Sequence, residues 1–375
     1  MVNNEIIQII KKKIALNEFI DIEEFLKLTL YDNKNGFYKK LDNSNFELIG
    51  SNGHFITSPE ISQMFGELLG IWIIDFCSKL NVSIINLVEL GPGKGTLIND
   101  ILRVISNQKL KKIKVSLSFL ETSKKLSQVQ AKTINVFKIK KSWYRNFSTL
   151  KKNLQEYPVI FIANEFFDCL PIQQYKLKEN SALWEKVCLK LKYNRLYFDQ
   201  VPVSKYENFL ISKIKSIHNI NHKNDLFIEY SPMTSNIMSQ ISEVIKSFDG
   251  CALLIDYGKS NPYGNTIQAV YKNKRVSLLD KIGNCDYSSL VDFSNMNKIA
   301  KEKGLFVYPT ISQRDFLLKL GIKQRAENLS KNASPLQRRN ILSALDRLIS
   351  KKHMGEIFKV FCVTNNKLNV LGFSD

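Results

Sequence analysis

The sequence predicts an α/β protein with a mostly parallel sheet, an N-terminal helical cap and inserted segments. Four short apolar runs rich in β-branched residues alternate with helical or loop segments, at residues 84–90, 115–120, 159–163 and 252–255. Crossovers of this length between strands are typical of parallel sheets that carry helices on both faces. A glycine-rich segment directly follows the first run, as expected where a strand turns sharply into a helix.

The N-terminal cap is predicted to be helical. Apolar residues recur at helical spacing over residues 6–16 and 21–30, and again from residue 61 onwards. Ser58 is expected to cap this third helix by accepting from its first backbone amides, with Pro59 in its first turn.

Other segments interrupt the α/β alternation. Residues 183–192 and 196–203 alternate as an antiparallel hairpin would. Residues 292–350 are predicted to be mainly helical, with helices over 292–303, 313–320 and 336–350. Residues 358–363 and 367–371 are expected to form two closing strands.

Composition argues against several classes of protein. The 375 residues carry 54 Lys and Arg against 35 Asp and Glu, a net charge of +19. Only nine of these cations are Arg and the lysines are spread along the chain, so the charge indicates a compositional bias and disfavours nucleic-acid binding. No apolar run is long enough to predict a membrane span. The six Cys and four His lack ligand spacing, so we expect neither a metal site nor disulfides.

The N-terminal residues also bear on location. They contain Glu5, Glu18 and Asp21, whereas a signal peptide needs an apolar core and a transit peptide avoids acidic residues. We therefore expect a cytoplasmic protein, with the mitochondrial matrix as the alternative if the source is eukaryotic.

The strongest motif is VELGPGKGT at residues 88–96, where an apolar strand ending in Glu89 runs into three glycines. These are Gly91, Gly93 and Gly95. Glycines are needed where a ligand must approach the backbone without a Cβ in the way. The dinucleotide-binding motif requires a third small residue at position 96, but this sequence has Thr96 there. The spacing is instead typical of S-adenosylmethionine (SAM) methyltransferases, and a turn without ligand is the alternative.

Two further candidates for a nucleoside site follow the next strands. Glu121 directly follows the run 115–120, where its two oxygens can hold ribose hydroxyls. A surface Glu without a ligand is the alternative. Trp143 follows the third strand region and is expected to pack against the adenine or, alternatively, in the core.

Acidic residues follow the last two of the four apolar runs. Asn164, Glu165 and Asp168 come after the third run, and Asp256 and Tyr257 after the fourth. Because open α/β sheets bind ligands at the carboxyl ends of their strands, we expect Glu165 or Asp168 to contact substrate. Asp256 and Tyr257 are further substrate-binding candidates. The alternative is that Asn164 or Asp168 only caps a turn.

Seven motifs occur together and in order along the chain. They are FITSPEISQMFGE (55–67), VELGPGKGT (88–96), SWYR (142–145), NEFFD (164–168), IDYG (255–258), VDF (291–293) and MGEIFK (354–359). On these motifs the chain resembles the MidA-like family of class I SAM-dependent methyltransferases, from about residue 14 to residue 364. That family includes a mitochondrial protein arginine methyltransferase that assists assembly of respiratory complex I.

The resemblance implies a class I (Rossmann-like) SAM methyltransferase core with SAM as cofactor. It places cofactor contacts at Gly91, Gly93, Gly95, Glu121, Thr57, Ser58, Pro59, Glu60 and Gln63, the last five as a roof, and we add Glu89, Trp143 and Asn164. Three residues depart from the family pattern, namely His54, Lys94 and Lys259.

The predicted organisation has six segments. They are a cap and cofactor roof (1–82), the first part of the core (83–173), an inserted hairpin region (174–224), the second part of the core (225–258), a mainly helical substrate-side insertion (259–355) and closing strands (356–375).

The implied function is methyl transfer from SAM to an arginine of a protein substrate, with a complex I subunit as one candidate. Two carboxylates, Glu165 and Asp168, would clamp the guanidinium and orient its reacting nitrogen. A nucleic-acid or small-molecule methyltransferase, a SAM-binding assembly factor without catalysis, and a nicotinamide oxidoreductase remain as alternatives. The oligomeric state is not predicted.

Overall fold

The computed structural model describes residues 5–43, 57–108, 112–178, 181, 183–218, 226–260 and 264–373. The helices are α1 (Glu5–Asn17), α2 (Ile22–Tyr31), α3 (Phe37–Asn43), α4 (Ser58–Ile61), α5 (Gln63–Lys79), α6 (Thr96–Ser106), α7 (Lys124–Thr133), α8 (Phe147–Asn153), α9 (Lys205–His218), α10 (Pro232–Phe248), α11 (Phe293–Glu302), α12 (Gln313–Lys319), α13 (Ile322–Ser330), α14 (Pro335–Ile349) and α15 (Met354–Ile357). The strands are β1 (Ile20–Asp21), β2 (Ile84–Leu90), β3 (Lys114–Leu120), β4 (Lys140–Tyr144), β5 (Val159–Asn164), β6 (Gln173–Leu177), β7 (Trp184–Lys192), β8 (Arg195–Pro202), β9 (Phe227–Tyr230), β10 (Gly250–Lys259), β11 (Gln268–Tyr271), β12 (Lys274–Val276), β13 (Asp286–Ser288), β14 (Val291–Asp292), β15 (Phe306–Val307), β16 (Ile311–Ser312) and β17 (Phe358–Thr364).

A nine-stranded mixed sheet forms the centre of the molecule. Its order is β15-β17-β10-β5-β2-β3-β4, with β14 paired to β10 and β16 to β17. Its neighbouring strands β4, β3, β2, β5 and β10 are all parallel, and β17 is antiparallel to β10. The four apolar runs are therefore strands of one parallel sheet, as the sequence predicts. After β2, the chain first adds β3 and β4 on one side of that strand. It then adds β5 and β10 on the other side, so a topological switch point lies between β2 and β5.

Both faces of this sheet are covered by helices, which explains why its strands are apolar on both sides. Helices α5, α6, α12 and α13 pack on one face, where Trp72 and Phe316 are fully buried. Helices α8, α10 and α11 cover the other face, where Phe161 and Met238 are fully buried. The carboxyl ends of β2, β3 and β5 are left for a ligand site.

The N-terminal cap packs on two small sheets. Helices α1 and α2 lie where helical spacing predicts them, and Ile6, Ile10 and Ile14 bury one face of α1. Strands β1, β7, β6 and β9 form one sheet, with β8 on β7, and β12, β11 and β13 form the other. The predicted antiparallel hairpin is confirmed as β7 and β8.

The helix expected to start at Ser58 is interrupted. Thr57 is the N-cap of the short helix α4 but accepts no side-chain hydrogen bond, and Ser62 breaks the helix with an extended backbone. The Ser62 side chain instead caps α5 by accepting from the backbone N–H of Met64. The predicted cap at Ser58 is therefore wrong, because its Oγ is buried against Gln313 and cannot serve the helix end.

Two predictions for the C-terminal half are also wrong in part. Residues 367–371 are not a strand, because the hydroxyl of Tyr308 bonds both the N–H and the carbonyl of Leu368 and so takes the place of a neighbouring strand. The segment 259–355 is less helical than expected. It contributes β11, β12 and β13, and its strands β14, β15 and β16 join the central sheet. The three predicted helices are present as α11, α12 and α14, and α13 was missed.

Candidate active site

A cavity of about 690 Å³ opens at the carboxyl ends of β2, β3 and β5, beside the topological switch point. Sequence-predicted residues that line it are Thr57, Pro59, Glu60, Glu89, Gly91, Gly93, Glu121, Asn164 and Glu165, and Lys94 lines it as well. Seven other predicted residues do not line it, namely Ser58, Gln63, Gly95, Trp143, Asp168, Asp256 and Tyr257. Strand ends from distant parts of the chain therefore meet in one site.

The three glycines after β2 all have positive φ, at 64°, 54° and 80° for Gly91, Gly93 and Gly95. A Cβ on Gly91 would lie 2.7 Å from a ring carbon of Phe166, and one on Gly95 would lie 3.3 Å from the Cα of Gln130. Both positions thus require glycine for packing as well as for conformation. The result is a tight turn that presents bare backbone to the cavity.

Glu121 is held in place by a residue that the sequence analysis missed, Gln130. The Gln130 amide donates to Glu121 Oε2 at 2.9 Å and to the carbonyl of Gly93 at 2.8 Å. The Trp143 indole N–H donates to Gln130 Oε1 at 2.8 Å, and its ring stacks on Phe119. Trp143 therefore packs in the core, the alternative given above, and acts on the site through Gln130.

Two buried acceptors in the cavity wall have no hydrogen-bond donor within the described part of the chain, namely Glu89 Oε2 and Asn164 Oδ1. Glu89 is 3% exposed. Burial, with the Glu121 carboxylate nearby, raises the pKa of Glu89 to about 8. Since buried polar atoms are costly to leave unpaired, these oxygens indicate a polar ligand, and a cationic amino group there would favour the ionised, accepting form of Glu89.

Glu165 combines backbone strain with a fixed carboxylate. Its φ is 53°, a conformation that is unfavourable for a side chain with a Cβ. Oε1 accepts from the backbone N–H of Ser58 at 2.9 Å and from Asn164 Nδ2 at 3.0 Å, while no described residue donates to Oε2. Burial raises the pKa of Glu165 to about 7. Strain at a fixed, half-buried carboxylate in a cavity wall is typical of a functional residue.

The other acidic candidates support the loop after β5. Asp256 is fully buried, and its carboxylate accepts from the backbone N–H groups of Phe166 at 3.0 Å, Phe167 at 2.7 Å and Tyr257 at 2.8 Å. The Asp168 carbonyl accepts from the N–H of Ser289, and burial raises the pKa of its carboxyl well above the usual range. The structure does not bring these carboxylates to the cavity wall.

The remaining predicted residues have different surroundings. Glu60 accepts from the Thr96 hydroxyl at 2.5 Å and so ties α4 to the start of α6. Gln63 and Lys259 are exposed, and His54 lies outside the described residues. The Tyr257 ring packs beside Phe358, with 6.0 Å between ring centroids.

The cavity also has a wall that the sequence analysis missed, formed by Tyr31, Tyr38 and Cys169. The two tyrosines come from the N-terminal cap. No local pattern marks them, because their place in the site depends on how the cap docks on the core.

The sequence matches a known protein family. The profile of a family of S-adenosyl-L-methionine-dependent methyltransferases matches residues 68–311. The chain belongs to this family. It is 32% identical to the protein arginine methyltransferase NDUFAF7, mitochondrial, of Danio rerio, over 97% of this chain and 88% of the relative. It is likewise 32% identical to the Homo sapiens protein of that name, over 92% of this chain and 80% of the relative.

A solved structure shares the fold of this methyltransferase. It is a COG1565 superfamily member from Burkholderia thailandensis bound to S-adenosyl-homocysteine, with a TM-score of 0.80 and 18% identity. The alignment covers 98% of this chain and 94% of that one. The class I methyltransferase fold and SAM as cofactor are thus confirmed, and the cavity's bare glycine turn and unpaired acceptors fit such a ligand.

Two points concern location. In the described ranges, the methyltransferase has no helix long and apolar enough to cross a membrane. The curated relatives are named as mitochondrial proteins, so the comparisons do not support the cytoplasmic location expected above.

Proposed function

We propose that the methyltransferase transfers a methyl group from SAM to a guanidinium nitrogen of arginine in a protein substrate. The observation that carries this proposal is Glu165, a strained, half-buried carboxylate in the cavity wall whose Oε2 has no donor among the described residues. A guanidinium offers several N–H donors and a permanent positive charge, which match an ionised carboxylate. The relatives at 32% identity are named as protein arginine methyltransferases, which supports the same choice.

The cofactor contacts proposed from sequence are assigned as follows. Glu121, fixed by Gln130, holds the ribose hydroxyls, and the backbone at Gly91 and Gly93 faces the methionine part. Glu89 Oε2 and Asn164 Oδ1 accept from the amino group of this methionine part, which would satisfy both unpaired atoms. The roof residues Thr57, Pro59 and Glu60 exclude water from the reacting groups.

Bound SAM supplies an activated methyl group on a sulfonium. The protein then has to align the acceptor nitrogen with this methyl and to take up charge. As the new C–N bond forms and the C–S bond breaks, its electron pair stays on sulfur and one N–H proton leaves the guanidinium. Glu165 holds the cation during this step and, with its raised pKa, can accept that proton. Asp256 positions the loop that carries Glu165.

The proposal is tested by incubating the purified protein with methyl-labelled SAM and lysate from cells that lack it. Mass spectrometry of the labelled bands then locates the methyl group. Methyl on arginine supports the proposal, and methyl only on another residue type, on nucleic acid or on a small molecule overturns it. Recovery of a complex I subunit would support the substrate suggested by the family resemblance, and the relatives' names favour the mitochondrial alternative for location.

The Glu121→Ala variant tests the cofactor assignment. We expect it to weaken SAM binding by about 1.5–3 kcal/mol, because hydrogen bonds to a charged group contribute on that scale. Titration calorimetry with SAM measures this loss. Glu327→Ala, at an exposed position of α13, is the matched control and should bind as the wild type does. Wild-type affinity in Glu121→Ala would refute the assignment.

The rate is expected to depend on the ionisation of Glu165. Its pKa is raised to about 7, so the carboxylate form predominates only above that pH. Arginine stays protonated throughout, since its pKa exceeds about 12. We therefore expect kcat/KM to rise with pH, about tenfold per unit below pH 7, and to level off above it. Methylation rates between about pH 5.5 and about pH 9 test this. If kcat/KM of Glu165→Gln rises with pH in the same way, the group that titrates is not Glu165.

A further inference from the structure

Tyr31 and Tyr38 form an aromatic wall of the cavity that belongs to the N-terminal cap. Their ring centroids lie 5.4 Å apart, with 37° between the ring planes. The Tyr31 hydroxyl donates to the carbonyl of Cys169 at 2.9 Å, and the Tyr38 hydroxyl donates to Asp286 Oδ1 at 2.8 Å. Both hydroxyls are thus used by the protein, while the half-buried rings line the cavity. A ligand would meet ring surface here.

Tyr31 lies on the side of the cavity that carries Glu165, and Tyr38 lies beside it, next to Lys39, whose Nζ donates to the carbonyl of Thr122 at 3.2 Å. Cys169, the partner of Tyr31, is in the loop after β5 that also carries Glu165, whereas Glu121 follows β3 on the opposite side of β2. The backbone of this loop is tied further to the segment before β14, since Ser289 donates to the carbonyl of Asp168. The cap, the loop with Glu165 and the three-stranded sheet therefore hold the rings in a fixed position.

We propose that Tyr31 and Tyr38 are specificity-determining residues that hold the acceptor guanidinium between ring surface and the Glu165 carboxylate. This inference rests on the proposed function. A planar, weakly hydrated guanidinium stacks on aromatic faces, and the attraction grows where water is excluded. A carboxylate alone would also accept an ammonium group, so the rings supply the preference for arginine over lysine.

The test uses a synthetic peptide that carries the arginine mapped by the labelling experiment. Tyr31→Leu and Tyr38→Leu remove the aromatic faces, and we expect each to raise the peptide KM about tenfold, the scale of a desolvated cation–π contact. The SAM affinity measured by calorimetry should stay within about twofold of wild type. The conservative variants Tyr31→Phe and Tyr38→Phe should recover most of the KM. Tyr271→Leu, in the same hydrophobic cluster but outside the cavity lining, is the control.

Folding defects are separated from recognition by a second set of variants. Fluorinated phenylalanine at position 31 or 38 keeps the ring shape and weakens its attraction for a cation, so KM should rise with each added fluorine. An unchanged KM across this series overturns the inference, as does a weakened SAM affinity in the Leu variants, which would make the rings a cofactor wall. The labelling experiment tests the proposed function separately from these KM measurements. A labelled residue other than arginine overturns both the proposed function and this inference.

Discussion

The Glu165→Gln variant is expected to lose at least about a hundredfold in turnover, the scale found when one preorganised polar group is removed from a transition-state site. The amide keeps the size of the side chain and an oxygen that can accept from the N–H of Ser58. It removes the negative charge that would hold a guanidinium and take up its proton. SAM affinity should stay within about twofold, because the loss concerns the acceptor and not the cofactor.

Single-turnover methylation, melting temperature and SAM calorimetry on the same preparations separate catalysis from folding. Asp168→Asn discriminates between the two-carboxylate clamp expected from sequence and the geometry, in which Glu165 lines the cavity and Asp168 does not. A loss in Glu165→Gln alone supports the geometry, and equal losses support the clamp. Unchanged turnover in Glu165→Gln would remove this residue from the mechanism.

The predictable part of the site consists of residues that directly follow strands. Glu89, Gly91, Glu121 and Glu165 line the cavity because an apolar run fixes where each strand ends, and parallel strands end at one edge of the sheet. Their positions follow from local chemistry that the sequence displays. The parallel sheet itself was predicted from the same apolar runs and from the length of the crossovers between them.

The unpredicted part depends on tertiary contacts. Gln130 lies on α7 and reaches Gly93 and Glu121 only because that helix packs beside the glycine turn. Tyr31 and Tyr38 reach the cavity through the docking of a cap that is distant in sequence from the core. Periodicity predicts that such helices exist but not which polar side chain of a helix meets which loop.

Backbone conformation determines which of two neighbouring acidic residues faces the cavity. Glu165 and Asp168 are equivalent in a sequence motif, yet only Glu165 has a positive φ and faces the cavity. Positive φ is readable from sequence at glycine, but seldom at Glu, whose side chain disfavours it. The strain at Glu165 is compensated by the fixed loop that follows it, in which the N–H groups of Phe166 and Phe167 both donate to Asp256.

Asp256→Ala is accordingly expected to lower the free energy of unfolding by about 3 kcal/mol or more. It would leave three backbone N–H groups, those of Phe166, Phe167 and Tyr257, without their acceptor, at about 1 kcal/mol or more for each unpaired donor. Turnover should fall as well, because the same loop carries Glu165. Urea unfolding followed by circular dichroism measures the stability, and a loss below about 1 kcal/mol would contradict this role.

The Asp256→Asn variant, which keeps one acceptor oxygen, should lose less stability than Asp256→Ala, and its loss should depend on pH. Burial raises the pKa of Asp256 in the folded protein to about 7, above its value in the unfolded chain. A raised folded-state pKa stabilises the fold most at low pH, and this contribution is lost as the pH rises through about 7. Asn cannot titrate, so the difference between wild type and Asp256→Asn should shrink from about pH 5 to about pH 9. A difference that stays constant over this range would show that Asp256 is already ionised in the native loop at about pH 5, and that the carboxylate charge itself holds the three backbone donors.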